Sequence, residues 1–271
     1  RDGERIGFAQ ATTFDDTDIQ AGSVHTYEVS AYDTAGNESA LSAAMVVTAP
    51  DTGGTGLLLG YWRFDEGTGT AALDSSGYAH NGGIIGVTWA TGIEELALDF
   101  DGNGDYVPIL SSPALDNLEA VTFAAWINPR VDGHWHVLDK GDGDKRLYAE
   151  GASRTLDGRI RYTGAHAFSR SVSNTLQLNT WQHVAMTWSR ETGRTRLYHN
   201  GAEVDYAMHD VATGTRLDDT TFPYTIGARG ALGESTFFNG LIDEVRLYGR
   251  VLTADEIREH YEALAPTPPR R

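Results

Sequence analysis

Asp74, the backbone carbonyls around Gly77 and the side-chain amide of Asn81 fall within eight positions of the chain. Calcium is held by about six to eight oxygen ligands drawn from carboxylates, amides and backbone carbonyls. A compact loop over this span therefore has the donor types for one hard cation. The same residues have a second use, because Asp and Asn side chains also close Asx turns by accepting N–H groups of their own loop. A further acidic run, Asp99-Phe100-Asp101-Gly102-Asn103-Gly104-Asp105, lacks the terminal bidentate Glu of a calcium loop. Its Asp101-Gly102 pair is expected to turn the chain in a Gly-rich hairpin.

A different chemistry is written between residues 134 and 168. Trp135, Tyr148, Tyr162, His166 and Phe168 are interleaved with Arg146, Arg159 and Arg161. Sugar rings lay their C–H faces on aromatic rings while guanidinium groups grip hydroxyl or carboxylate oxygens, so this mixture is what a saccharide site requires. Arg146, Tyr148 and Glu150 alternate with Leu147 and Ala149, which puts the first three on one strand face and the apolar pair on the other. His134 and His136 also share a face, about 6.8 Å apart along a strand. A transition metal there needs a third ligand that the sequence does not offer, so glycan contact by Trp135 or either His is the favoured reading.

The elements that must position these groups are strands. Runs at 57–64, 97–100, 106–109, 121–127, 134–138, 146–148, 159–162, 181–188, 195–198, 224–226 and 241–248 carry β-branched and aromatic residues and are punctuated by Gly, Asn and Asp. Asn200-Gly201 predicts a type I′ hairpin turn, which needs positive φ at both positions. One helix start stands out: Thr253-Ala254-Asp255-Glu256 fits a capping box ahead of Ile257, Tyr261 and Leu264 on one face. Asp255 and Glu256 are then partners of the helix dipole rather than catalytic acids.

Residues 1–49 have a separate character. His25 to Asp33 alternates with period 2, Thr34-Ala35-Gly36-Asn37 supplies a turn, and a second β-rich run reaches Val47. Residues 50–56 have linker composition, 57–264 form the main domain, and the Pro-rich 265–271 is expected to lead onward as a stiff tail in a longer chain.

The 271 residues include no cysteine, which excludes a disulfide framework and a thiolate zinc site. A formal charge of −17 works against nucleic acid or anionic lipid as a general partner. No apolar run is long enough for membrane insertion. Between Lys140 and Arg196 the sign reverses, with ten basic residues against five acids, a local excess of +5. Such an excess is either a solvated strand face or a site for an anionic group.

The string Tyr61-Trp62-Arg63-Phe64-Asp65-Glu66-Gly67, then Asp74-Ser75-Ser76-Gly77, and finally Phe238-Asn239-Gly240-Leu241-Ile242-Asp243-Glu244-Val245-Arg246-Leu247-Tyr248 resembles the laminin-G-like family of the concanavalin A-like lectin and glucanase superfamily. The resemblance covers about three quarters of the chain and implies an all-β, antiparallel jelly-roll sandwich with a short C-terminal helix. It implies that the first and last strands run close together, which would bring Asp243, and Asp65 or Glu66, to the Asp74 loop as further ligands of a structural calcium ion. It also implies that Trp62, Phe64, Trp126, Trp181 and Trp188 are core residues. Tyr27, Val29, Ala31, Asp33 and the following Gly36-Asn37-Glu38-Ser39 resemble the last strands of a fibronectin type III domain, a spacer, with the first strands missing.

Glycosidases on this superfamily fold need two carboxylates flanking one bond, in an E-x-D-x-x-E or close variant, and that motif is absent. Asp243 and Glu244 are no substitute, since neighbours on a strand point to opposite faces. Arg159-Ile160-Arg161-Tyr162 and Gln182-His183 echo parts of a polysaccharide lyase pattern without assembling it. The expectation is a noncatalytic carbohydrate-binding module of a larger secreted or cell-surface bacterial protein, with a polysaccharide as partner and an anionic one among the candidates. Two alternatives stay open: a structural or adhesion domain that binds protein, and, less favoured, a lyase.

Overall fold

The computed structural model describes residues 1–8, 14, 16, 24–48, 58–141, 144–220, 222–230 and 236–265. The expected linker at 50–56 and residues 266–271 of the expected tail lie outside them. The chain divides into two units, Arg1–Leu57 and Leu58–Arg271.

In the first unit, Val24–Tyr27 pairs antiparallel with Met45–Thr48, and Tyr32 bridges to Glu38. The carboxylate of Asp33 accepts the N–H groups of Ala35 and Asn37, which closes the turn expected at 34–37. The strand ends at Tyr27 rather than running to Asp33; beyond it Val29 has 71% of its surface exposed, and its carbonyl accepts the Ser42 N–H at 2.8 Å. The described residues here amount to a ribbon, and the likeness to fibronectin type III stays a matter of sequence.

The second unit is a sandwich of two antiparallel sheets. The larger has the spatial order Tyr206–Asp210, Ala167–Ser171, Thr155–Ile160, Lys145–Glu150, Trp135–Lys140, Tyr224–Ile226, Val107–Ile109, Gly82–Gly83, Ala71–Ala72. The smaller runs Ala202–Glu203, Arg194–His199, Gln182–Ser189, Ala120–Pro129, Asn239–Tyr248, Leu96–Asp101, Thr88–Thr91. Asn239–Tyr248 pairs through its first half with Leu96–Asp101 and through its second half with Leu58–Trp62. Between the halves, at Glu244 (φ 52°), the register against Ala120–Pro129 slips in a bulge.

Alternation explains the core. Leu147, Leu156, Ile160 and Ala167 of the larger sheet face Phe123, Ile127, Met186, Trp188 and Leu197 of the smaller, all fully buried in one cluster. Ala120–Pro129 is buried on both faces, because Ala124 packs with Ala185, Tyr198 and Ile257 beneath the helix Ala254–Leu264. That double burial is why its sequence reads as a continuous apolar run rather than an alternating one. The helix starts at the expected capping box: the Thr253 hydroxyl accepts the Glu256 N–H, and the Glu256 carboxylate accepts the Thr253 N–H. Trp62, Phe64, Trp126 and Trp188 are buried, whereas Trp181 is only half-buried, a departure from the core role expected of it. The Asp99–Asp105 turn also differs from expectation. Its flanking strands belong to different sheets, so it is a crossing between layers and not a hairpin. At Asn200-Gly201 both φ angles are positive, 49° and 77°, as a type I′ turn demands.

Candidate functional site

The pairing register of the larger sheet sets two rows of side chains on its outer face. One row runs Asp139, Arg146, Arg159, Phe168, Asp210 across five strands. The next runs His136, Tyr148, Asp157, Arg170, Met208. Cross-strand neighbours in such rows stand about 5 Å apart at Cβ, so side chains distant in sequence meet as a surface. A cleft of about 610 Å³ opens here, lined by Arg146, Tyr148, Glu150 and Arg159, with His166, Phe168 and Asp210 on its far side.

The basic residues of this stretch of chain differ in their partners. Of the ten basic residues between Lys140 and Arg196, seven pair with carboxylates: Lys140 with Asp116, Lys145 with Asp219, Arg154 with Asp132, Arg161 with Asp144, Arg170 with Asp157, Arg190 with Glu119 and Arg196 with Glu203. Lys140 and Lys145 lie inside the fold, on the side away from the cleft residues. Arg194 is exposed to solvent. Arg146 and Arg159 remain. Among the described residues neither meets a carboxylate at ion-pair distance, and the buried Nε of each has no hydrogen-bond partner. Arg146 is only 7% exposed, its guanidinium lying 4.2 Å from the centre of the Tyr148 ring. Burial pulls Arg159 down to about 10, and Arg146 beside it adds to the pull. His166 is depressed by burial and then by Arg159 and Arg161, and its Nδ1 accepts the Tyr162 N–H at 3.2 Å.

The structure thus brings Arg146, Tyr148, Arg159 and His166 to one cleft and sends three other expected site residues elsewhere. Trp135 is a core residue, 4% exposed and edge-on to Phe238 at 4.8 Å, because the strand's alternation turns it inward between the two His. Tyr162 is buried edge-on against Trp188. Arg161 is tied to Asp144 at 3.2 Å and does not line the cleft. Tyr148 is 2% exposed, covered by Arg146 with the rings of His134 and His136 alongside, so it serves as the bed on which Arg146 lies. Phe168, half-buried, offers more aromatic surface. Asp210 was not among the expected residues. It reaches the cleft from Tyr206–Asp210, a strand whose mixed, half-exposed sequence gave no strong period-2 signal.

The expected calcium ligands do not form one donor set. Asp74 Oδ1 accepts the N–H groups of Tyr61 and Ser76 at 2.9 and 2.8 Å, and Oδ2 accepts the Ser76 hydroxyl and the His80 N–H, both at 2.8 Å. A cation approaching this carboxylate would meet four donated hydrogens rather than free lone pairs. Asn81 Oδ1 accepts the Asp74 N–H, Gly77 turns the loop at φ 92°, and Glu66 accepts the Leu73 N–H. Asp65 pairs with Arg63, and Asp243 is taken by the 92–95 loop. Among the described residues no group of three or more His, Asp or Glu side chains is arranged to hold a metal. Asp74 and Asn81 make the bonds of the Asx-turn reading. His136 bonds Asp139 at 2.8 Å and stacks on Tyr148, so the two-His pair is likewise part of the sheet's own packing.

Comparison with known proteins follows the fold. The sequence description of the concanavalin A-like lectin/glucanases superfamily matches residues 101–258. Adhesion G-protein coupled receptor V1 of Danio rerio is 28% identical over 183 residues, which is 63% of this chain and 3% of the receptor. The binding domain of Paraclostridial Mosquitocidal Protein 1 superimposes with a TM-score of 0.61 at 16% identity, over 76% of this chain and 52% of that one. Domain 4 of AbnA, a GH43 extracellular arabinanase of Geobacillus stearothermophilus solved with arabinotriose, has a TM-score of 0.53 at 18% identity, over 78% of this chain and 99% of that one. These likenesses show the fold; the chain spans a small part of the receptor and about half of the mosquitocidal domain.

Proposed function

The chain belongs to the concanavalin A-like lectin/glucanases superfamily, and from that premise we propose that its second unit is a noncatalytic carbohydrate-binding module of a longer secreted or cell-surface protein. Its site is the cleft on the outer face of the larger sheet. The observation that carries this reading is the composition of that cleft, in which the half-buried Phe168 ring, with the Arg170 guanidinium 5.4 Å from its centre, stands among guanidinium, imidazole and carboxylate groups that suit a polyol. AbnA domain 4, solved with arabinotriose, shows that a domain of this fold can be met with a sugar.

A binding role is favoured over a hydrolytic one by distance. The two carboxylates lining the cleft are Glu150 and Asp210, three strand spacings apart, and Glu150 stands four residues along its strand from the row that holds Asp210. Three spacings alone are about 14 Å, beyond the roughly 5–9.5 Å over which paired glycosidase carboxylates work. The relation to an adhesion receptor favours protein binding as the second reading. A glycan array probed with the full chain and with its Phe168→Ala variant separates the two. Binding to a glycan class that the variant loses supports the sugar site, and an array with no binding leaves the adhesion reading in its place.

A further inference from the structure

We propose that the cleft selects glycans carrying an isolated anionic group, a carboxylate or sulfate, clasped between the guanidinium groups of Arg146 and Arg159. This rests on the reading of the cleft as a sugar site. Arg146 and Arg159 are register partners on adjacent strands, so their side chains leave the sheet together on one face. An arginine carries five N–H donors and stays charged, and burying it without partners costs free energy. Here two stand side by side, one 7% exposed and the other half-buried, whereas seven of the other eight basic residues between Lys140 and Arg196 have carboxylates. The nearby acids are otherwise engaged: Asp157 accepts from Arg170 at 2.7 Å, and Asp139 bonds His136. One planar or tetrahedral oxyanion between the two forks would satisfy both groups and remove their mutual repulsion.

The rest of the cleft says what must surround that anion. Glu150 and Asp210 at its borders are acceptors only and repel further negative charge, while they accept hydrogen bonds from hydroxyl groups. A net charge of −17 adds long-range repulsion against densely charged polymers. The combination fits one acid group set among sugar hydroxyls and disfavours an acidic peptide or a polyanion with a charge on every unit.

Titration calorimetry of the full chain tests this with glucuronoxylan against unsubstituted xylan for the carboxylate, κ-carrageenan against agarose for the sulfate, and poly-glutamate as the peptide control. At least one anionic polymer is expected to bind more tightly than its neutral partner. Arg159→Gln, and separately Arg146→Gln, should weaken that binding about ten- to a hundredfold, the range for hydrogen bonds to a charged group. Equal behaviour of each anionic polymer and its neutral partner, absence of binding included, overturns the proposal. If that equal binding is lost in Phe168→Ala, the sugar cleft stands and only the anion clasp fails. Selective anion binding that survives Arg159→Gln, Arg146→Gln and Phe168→Ala removes the site itself from this cleft. Arg159-dependent binding of poly-glutamate as tight as that of the glycans overturns the choice of sugar. Arg159 is half-buried at the surface, so its replacement leaves the core intact should Arg146→Gln fold poorly.

Discussion

The carboxylate of Asp243 accepts the backbone N–H of Ile93 at 3.0 Å, which ties the middle of the last strand to a loop 150 residues earlier. The neighbouring Glu94 N–H donates to the same oxygen, and Gly92 leaves room for it, since a Cβ there would fall on the carboxylate. Burial pushes Asp243 up to about 8; the Glu94 N–H pulls against this and the adjacent Glu244 adds to it. In the fold Asp243 keeps its proton over a window, from the ordinary 3.8 to about 8, in which the unfolded chain has released it. Its contribution to stability is therefore full below pH 3.8 and is lost as the pH rises through about 8. Asp243→Asn, neutral at every pH, should have a flatter dependence of Tm on pH between 5 and 8.5, by a few degrees, given that about 1 kcal/mol moves Tm by roughly 2–4 °C in a domain of this size. Parallel slopes for the two proteins would count against a protonated Asp243.

Asp74 makes a second structural prediction. Its replacement by Ala takes this acceptor from the part-buried N–H groups of Tyr61, Ser76 and His80. The loss should be about 2–4 kcal/mol, from roughly 1–3 kcal/mol per unsatisfied group with incomplete additivity. Melting curves in calcium and in chelator should superimpose for the wild-type chain. A rise of several degrees with calcium that Asp74→Ala abolishes would restore the cation to this loop.

Trp135 and Tyr148 should separate stability from binding. Trp135→Ala empties a core position against Phe238 and is expected to cost about 3–5 kcal/mol. Its glycan affinity at a temperature where it stays folded should be unchanged. Tyr148→Ala removes the ring beneath Arg146 and should weaken glycan binding, whereas Tyr148→Phe keeps the ring and should retain it. Calorimetric affinity measured beside urea midpoints distinguishes the pair, and a binding defect in folded Trp135→Ala would return that indole to the site.

The contrast between these two residues shows where the sequence could be read. Period-2 alternation placed Arg146, Tyr148 and Glu150 on one face and named most of the long strands, since each signal is local. It could not say that Trp135 turns inward, because a tryptophan between two histidines suits either face until the register with its neighbours is known. The rows joining Arg146 to Phe168 and Asp210 depend on pairing across 64 residues of chain, which only the topology supplies. Asp74 illustrates the same gap in reverse. Its residue type suits a cation or an Asx turn equally, and the N–H groups it accepts from Tyr61 and His80 come from outside its own turn, where no local pattern announces them. The short strands Ala71–Ala72, Gly82–Gly83 and Ala202–Glu203 carry too few residues to show any period.

His183 gives the last prediction, opposite in sign to that of Asp243. Its ring lies under the C-terminal helix, 5.6 Å from Trp126 and 6.4 Å from His260, with no exposed surface and, among the described residues, no hydrogen-bond partner for either ring nitrogen. Burial holds it well below the ordinary 6.5, and His260, Arg246 and His199 add their repulsion. The folded protein therefore keeps His183 neutral where the unfolded chain takes up a proton, so stability present above pH 6.5 is lost as the pH falls below it. Tyr261 of the helix stacks on Trp126 at 5.7 Å, so protonation at this position would act on the helix-to-sheet contact first. Acidification from pH 7 to 5 should lower the amide protection factors of residues 254–264, taken against the slower intrinsic exchange at the lower pH, before it lowers those of the larger sheet's strands. His183→Leu, which fills the apolar space without a titrating group, should suppress that early loss of protection, and protection lost equally in wild type and variant would assign the acid sensitivity to another residue.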